Sequence, residues 1–135
     1  MCDGMTNLRE LSAAVALIHC LVVDLDRRLE AGETLPTMAP WLVQENKWRA
    51  ARYGLDAIVI TDGNCAERLV TEDLADVLDR LAPIARDLDC IDELAGVTSI
   101  IESGGSYQRQ RAVHAGGGTM RDVVASVVGE LDAAG

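Results

Sequence analysis

The chain has 135 residues, 14.4 kDa, and 12 Lys+Arg against 22 Asp+Glu, a formal charge of −10 at pH 7. That length suffices for one domain with its own core, and 49% hydrophobic content excludes a disordered acidic tail. The charge argues against generic nucleic-acid or anionic-membrane binding, which needs a basic footprint. No apolar run reaches the roughly 18–20 residues of a membrane span. No basic segment precedes the first apolar run, so no signal peptide is expected. Cys2, Cys20, Cys65 and Cys90 show no C-x-x-C pair or metal-ligand spacing, and the reading is reduced thiols in a soluble cytoplasmic chain.

A first helix is expected from Asn7, a capping residue with Glu10 three positions on to complete a capping box. Apolar residues recur at Leu8, Leu11, Val15, Ile18, Val22, Leu25 and Leu29, and Ala14, Leu17 and Leu21 widen that stripe. So broad a face predicts a central bundle helix, closed by Gly32. Residues 32–40, with Pro36 and Pro40, form a connector. A second helix is predicted from Pro40 or Trp41 to Tyr53, closed by Gly54.

Residues 56–70 read as a small hairpin: a strand at Ala57-Ile58-Val59-Ile60, a turn at Asp62-Gly63-Asn64, and a return at Arg68-Leu69-Val70. Thr71 is expected to cap a third helix carrying Leu74, Val77, Leu81, Ile84 and Leu88, which Pro83 should kink or divide. A fourth helix spans about Ile91 to Glu102 and stops at Gly104-Gly105. Ser106 is expected to cap a short helix through His114, and Thr119 a last one bearing Met120, Val123, Val124, Val127, Val128 and Leu131. The fold class is therefore mainly α with a small β-hairpin, one helical region over 1–135.

Several motifs fail. Neither Gly104-Gly105-Ser106 nor Gly116-Gly117-Gly118-Thr119 has the lysine of a phosphate-binding loop. His19 and Cys20 diverge by about 100° on a helix, so they make no catalytic dyad, and His19 reads as a core or boundary residue. His114 suits a helix C-terminus. Arg109 and Arg111 form a second basic island best paired with neighbouring acids.

The chemically distinctive segment is the second helix. It holds Trp41, Trp48 and Tyr53, three of the four aromatics, and Lys47, the only lysine. With Lys47, Arg49 and Arg52 against Glu45, it carries +2 in an acidic chain. Guanidinium groups there suit phosphate or carboxylate. The plainer alternative is structural: a Glu45–Arg49 surface pair and an Arg52 contact with Trp48.

The run Glu45-Asn46-Lys47-Trp48-Arg49-Ala50-Ala51-Arg52-Tyr53-Gly54-Leu55-Asp56 resembles the C-terminal region of bacterial carboxylate–amine ligases of the glutamate–cysteine ligase type 2 family. Supporting stretches are 31–36, 81–86 and Tyr107-Gln108-Arg109-Gln110-Arg111. The resemblance implies the helical C-terminal part of a glutamine-synthetase-like α+β fold. It implies an ATP-dependent ligase that uses magnesium to phosphorylate a carboxylate, typically of glutamate, for displacement by an amine, typically of cysteine. It also implies that Asn46, Arg49 and Arg52, with Lys47 as a weaker candidate, help bind nucleotide or substrate, and that the family's sheet and acidic metal motifs lie mainly before this region. Cys2-Asp3 resembles the tail of a family strand. No carboxylate here is carried over as a metal ligand, and the isolated chain is expected to be inactive. The rival expectation is a non-enzymatic helical module that binds a protein partner or a second copy through its apolar seam.

Overall fold

The computed structural model describes residues 5–132, so the Cys2-Asp3 strand expectation lies outside the described residues. Six helices and one hairpin follow in chain order: α1 (Leu8–Glu30), α2 (Pro40–Tyr53), a 3-10 turn (Gly54–Asp56), β1 (Ile58–Ile60), β2 (Glu67–Leu69), α3 (Val70–Asp87), α4 (Ile91–Ser103), α5 (Ser106–Ala115) and α6 (Met120–Asp132). The strands pair antiparallel, with Ile58 opposite Leu69 and Ile60 opposite Glu67. The mainly helical class with one small hairpin is what the sequence predicts.

Local chemistry sets most boundaries. The Asn7 side chain accepts from the Glu10 amide at 2.9 Å and starts α1. Glu10 does not close the expected box, because its carboxylate is drawn to Arg109 on α5, 2.6 Å away. At α6, the Thr119 hydroxyl accepts from the Asp122 amide while the Asp122 carboxylate accepts from the Thr119 amide at 2.7 Å, a complete reciprocal cap. Two other caps differ from expectation. Helix α3 begins one residue before Thr71, which sits in its first turn, and α5 is capped at Gly105, whose amide donates to Gln108 at 2.8 Å. Pro83 does not divide α3. It lies on an exposed face, where the carbonyl it leaves without a partner can reach water.

The principal departure concerns α1. Its buried residues are Glu10, Ala13, Ala16, Cys20 and Asp24, packed on α3 and α4. These are small or charged. The stripe of Leu8, Leu11, Val15, Ile18, Val22, Leu25 and Leu29 lies on the opposite side, each residue at least 40% exposed. Close approach explains the choice: a Cβ on Gly96 of α4 would stand 2.9 Å from the Ala13 Cβ, a gap that only small residues allow. The charged members of the inner face are paired, Glu10 with Arg109, and Asp24 with Arg80 at 3.3 Å. The resulting core is compact, centred on Ala16, Cys20, Leu81, Ile84, Ala85 and Leu94. His19 is exposed rather than in the core, and in α6 only Val123 is buried while Met120, Val124, Val128 and Leu131 face outward. The apolar periodicity of α1 thus marks a surface with no cover among the described residues.

Candidate functional site

Helix α2 lies against β1, and two of its side chains make that junction. The Asn46 amide donates to the Ile60 carbonyl at 2.7 Å and accepts from the Ile60 amide at 2.8 Å. Arg49 donates through Nη1 to the Ile58 carbonyl at 3.0 Å. In an antiparallel strand, alternate residues turn their backbone groups to opposite edges. Ala57 and Thr61 bond toward the β2 side, accepting from Val70 and donating to Ala66. Ile58 and Ile60 therefore offer theirs to the other edge, where Asn46 and Arg49 stand in for a third strand. The Asn-x-x-Arg spacing places both side chains on one helix face, within reach of both residues.

Arg49 is held on three sides. Besides Ile58, it donates through Nε to Glu45 at 2.8 Å and through Nη1 to Glu67 at 2.6 Å. The hydrogen bond to Glu45, then that to Glu67, raises its pKa above the ordinary arginine value. Its Nη2 has no partner among the described residues. Arg49 borders a hollow of about 360 Å³ lined also by Glu45, Trp48, Tyr53, Asp56 and Ile58. The Trp48 and Tyr53 rings meet edge-on at 5.9 Å. Arg52 lies over the Tyr53 ring at 5.7 Å, not over Trp48 as helix spacing allows. Of the four candidate residues, Asn46 and Arg49 are thus brought together at the hairpin. Arg52 is exposed at the rim aromatics, and Lys47 is exposed with no ion pair among the described residues.

The floor of this region is tied down by α5, which sequence reasoning did not foresee. The Tyr107 hydroxyl accepts from the Leu55 amide at 3.0 Å and donates to the Tyr53 carbonyl at 3.2 Å. Gly54 sits beneath the ring at φ +58, and a Cβ there would come within 2.6 Å of Tyr107. Gln108 reaches Asp56 at 3.4 Å. The two sequence stretches 45–56 and 107–111 are therefore in direct contact. The next residues join α5 to the rest: Arg109 binds Glu130 at 2.7 Å, Glu10 at 2.6 Å and the Gly104 carbonyl at 2.6 Å. Arg111 stacks on Tyr107 at 5.2 Å instead of meeting an acid. Glu130 foremost, and Glu10 after it, hold the Arg109 guanidinium firmly protonated against the opposing effect of burial.

Among the described residues, no three His, Cys, Asp or Glu side chains gather into a metal-holding cluster. No described helix is long and apolar enough to cross a membrane.

The model of glutamate–cysteine ligase family 2 matches residues 1–128. The chain belongs to that family. Curated relatives agree. It is 65% identical over 132 residues to a Mycobacterium tuberculosis protein named "Putative glutamate--cysteine ligase 2", covering 97% of this chain and 35% of that protein. A Mycobacterium ulcerans protein of the same name is 66% identical over 133 residues, 98% of this chain and 34% of that one. "Putative glutamate--cysteine ligase 2-1" of Mycolicibacterium smegmatis is 63% identical over 131 residues, 96% and 35%. The chain thus spans about a third of the length of the relatives it matches. No solved structure matches it.

Proposed function

We propose that this chain is the helical part of an ATP-dependent carboxylate–amine ligase of the glutamate–cysteine type, and that its hollow beside Arg49 receives the carboxylate of an amino-acid substrate. The reaction in this reading joins glutamate and cysteine: the glutamate γ-carboxylate is activated by phosphoryl transfer from ATP, and the cysteine amine displaces phosphate to form the amide. The observation that carries the assignment of the hollow is the unpartnered Nη2 edge of Arg49. Three acceptors fix that guanidinium in place, and its remaining N–H groups face no protein acceptor among the described residues. A guanidinium fixed in this way can hold a carboxylate with little further loss of side-chain freedom.

Charge and size favour an amino acid over a nucleotide. The hollow, about 360 Å³, lies at the small end of ligand sites. Glu45 and Asp56 line the hollow and Glu67 is bonded to Arg49, so three carboxylates surround the one guanidinium. Those acids repel a polyphosphate that has no metal beside it, yet they suit an ammonium group next to the carboxylate that Arg49 holds. Arg52 and Lys47 add positive charge at the exposed surface and draw anions toward the rim. Asn46 supports the site through β1. ATP and magnesium are assigned to the part of the longer relatives that this chain does not span. The free thiols of Cys20, Cys65 and Cys90 support a reducing, cytoplasmic location.

The test is steady-state kinetics on a full-length family member that carries the same Glu45–Asp56 run. Arg49→Lys should raise KM for glutamate or cysteine at least tenfold and leave KM for ATP within about twofold. A change confined to ATP, or to neither, overturns the assignment of the hollow. Purified 135-residue chain should release no phosphate from ATP with glutamate and cysteine above background.

A second reading, a helical module that self-associates, is favoured by the exposed α1 stripe. A concentration-dependent dimer together with loss of the kinetic effect above would support it over the ligase reading.

A further inference from the structure

Two thiols on different helices face each other in the core. Cys20, in the middle of α1, is fully buried, and its Sγ lies 3.8 Å from the Sγ of Cys90, the residue that caps α4. A disulfide needs sulfurs about 2.05 Å apart, so closure requires an approach of under about 2 Å. Cys90 is placed to supply it. It sits at the α3–α4 corner, straight after Asp89 at φ +53, at the N-cap of α4 rather than within a helical turn. Its amide donates to the Ala85 carbonyl and its carbonyl accepts from the Leu94 amide, so the approach falls to side-chain rotation. It is also half-buried, so solvent reaches it while Cys20 stays enclosed.

We propose that Cys20 and Cys90 form a reversible dithiol–disulfide pair, closed by thiol–disulfide exchange with a small-molecule disulfide, RSSR, and locking α1 to the start of α4. The Cys90 thiolate attacks one sulfur of RSSR, forming a Cys90–S–S–R mixed disulfide and releasing one RS⁻. The Cys20 sulfur, losing its proton, then attacks the Cys90 sulfur and expels the second RS⁻. Two protein thiols are oxidised, one RSSR is reduced to two RSH, and the two thiol protons go to the leaving thiolates. The order follows from access. Burial, foremost, pushes the Cys20 thiol up to about 11, with the neighbouring Cys90 thiol adding to it, so Cys20 acts only once its partner carries a leaving group beside it. The link would join positions 70 residues apart in sequence across the α1–α4 contact. It does not depend on the ligase reading.

The experiment uses the 135-residue chain with Cys2→Ser and Cys65→Ser, so that only this pair remains. The native protein is incubated with oxidised glutathione, alkylated, digested and examined by mass spectrometry. The expected result is a Cys20–Cys90 linked peptide, loss of both alkylatable thiols, and an upward shift of the urea midpoint that dithiothreitol reverses. A parallel Cys20→Ala variant should stop at the glutathione adduct on Cys90. An adduct that persists on Cys90 with Cys20 present, or a link that forms only in denaturant, overturns the proposal. So does a protein that keeps both thiols.

Discussion

Replacing Asn46 separates a residue that builds the α2–hairpin junction from one that merely decorates a surface. Asn46→Ala removes both hydrogen bonds to Ile60, a residue buried at 5% exposure. One buried amide and one buried carbonyl then lack their partner, at about 1–3 kcal/mol each, so with partial hydration the loss is about 2–4 kcal/mol. With a urea slope of about 2 kcal/mol/M, the midpoint falls by about 1–2 M. Asn46→Asp gives a sharper contrast. It keeps an acceptor for the Ile60 amide but sets a carboxylate oxygen against the Ile60 carbonyl, so at pH 7 it should be no more stable than Asn46→Ala. A protonated carboxyl can donate to that carbonyl, which raises the folded-state pKa of the introduced side chain above the unfolded aspartate value of about 3.9. Stability gained by protonation is fully present below that unfolded value and is lost as pH rises through the raised folded one. Asn46→Asp should therefore gain stability relative to Asn46→Ala as pH falls, measured by urea unfolding followed through the fluorescence of Trp41 and Trp48, both on α2. A cost under about 0.5 kcal/mol for Asn46→Ala, or parallel pH profiles for the two variants, would refute the third-strand role.

Other expectations follow from the same geometry. Gly54→Ala should cost about 2–4 kcal/mol by urea unfolding, because the backbone at φ +58 resists a side chain and the new methyl displaces Tyr107; Tyr107→Phe in the same background should then cost little more. Arg109, foremost, holds the Glu130 carboxyl below its ordinary pKa. Its folded pKa is thus depressed, and the stability it contributes is present above about pH 4.3 and lost as pH falls through the folded value. Arg109→Met should flatten that acid limb of the stability profile. Val15→Ser with Ile18→Ser touches only the exposed α1 stripe, so it should leave helical content unchanged and reduce dye binding by the exposed apolar face.

The sequence was most informative where structure is local. Asn7, Gly32, Gly54 and Thr119 mark their helix ends because each acts on backbone within a few residues of itself. The hairpin was visible because the β-branched run Ile58-Val59-Ile60 precedes a turn, but the return strand is Glu67–Leu69, and Val70, expected in it, opens α3. Periodicity in α1 identified an apolar face correctly but could not say what covers it, and the inner face was chosen by small residues that let α4 come close. The contacts of Arg49 were half visible: Glu45 lies one turn away on the same helix, whereas Ile58, Glu67 and the Ile60 partner of Asn46 depend on where the hairpin docks. Tyr107 and Arg109 join segments more than 50 and 90 residues distant, a separation that no local pattern encodes.

The central claim, that Arg49 presents one guanidinium edge to a substrate carboxylate, is tested most directly by kinetics of Arg49→Lys in a full-length family member bearing the same α2 run. KM for glutamate or cysteine should rise at least tenfold, with KM for ATP nearly unchanged. Equal effects on all three substrates, or none, would contradict it.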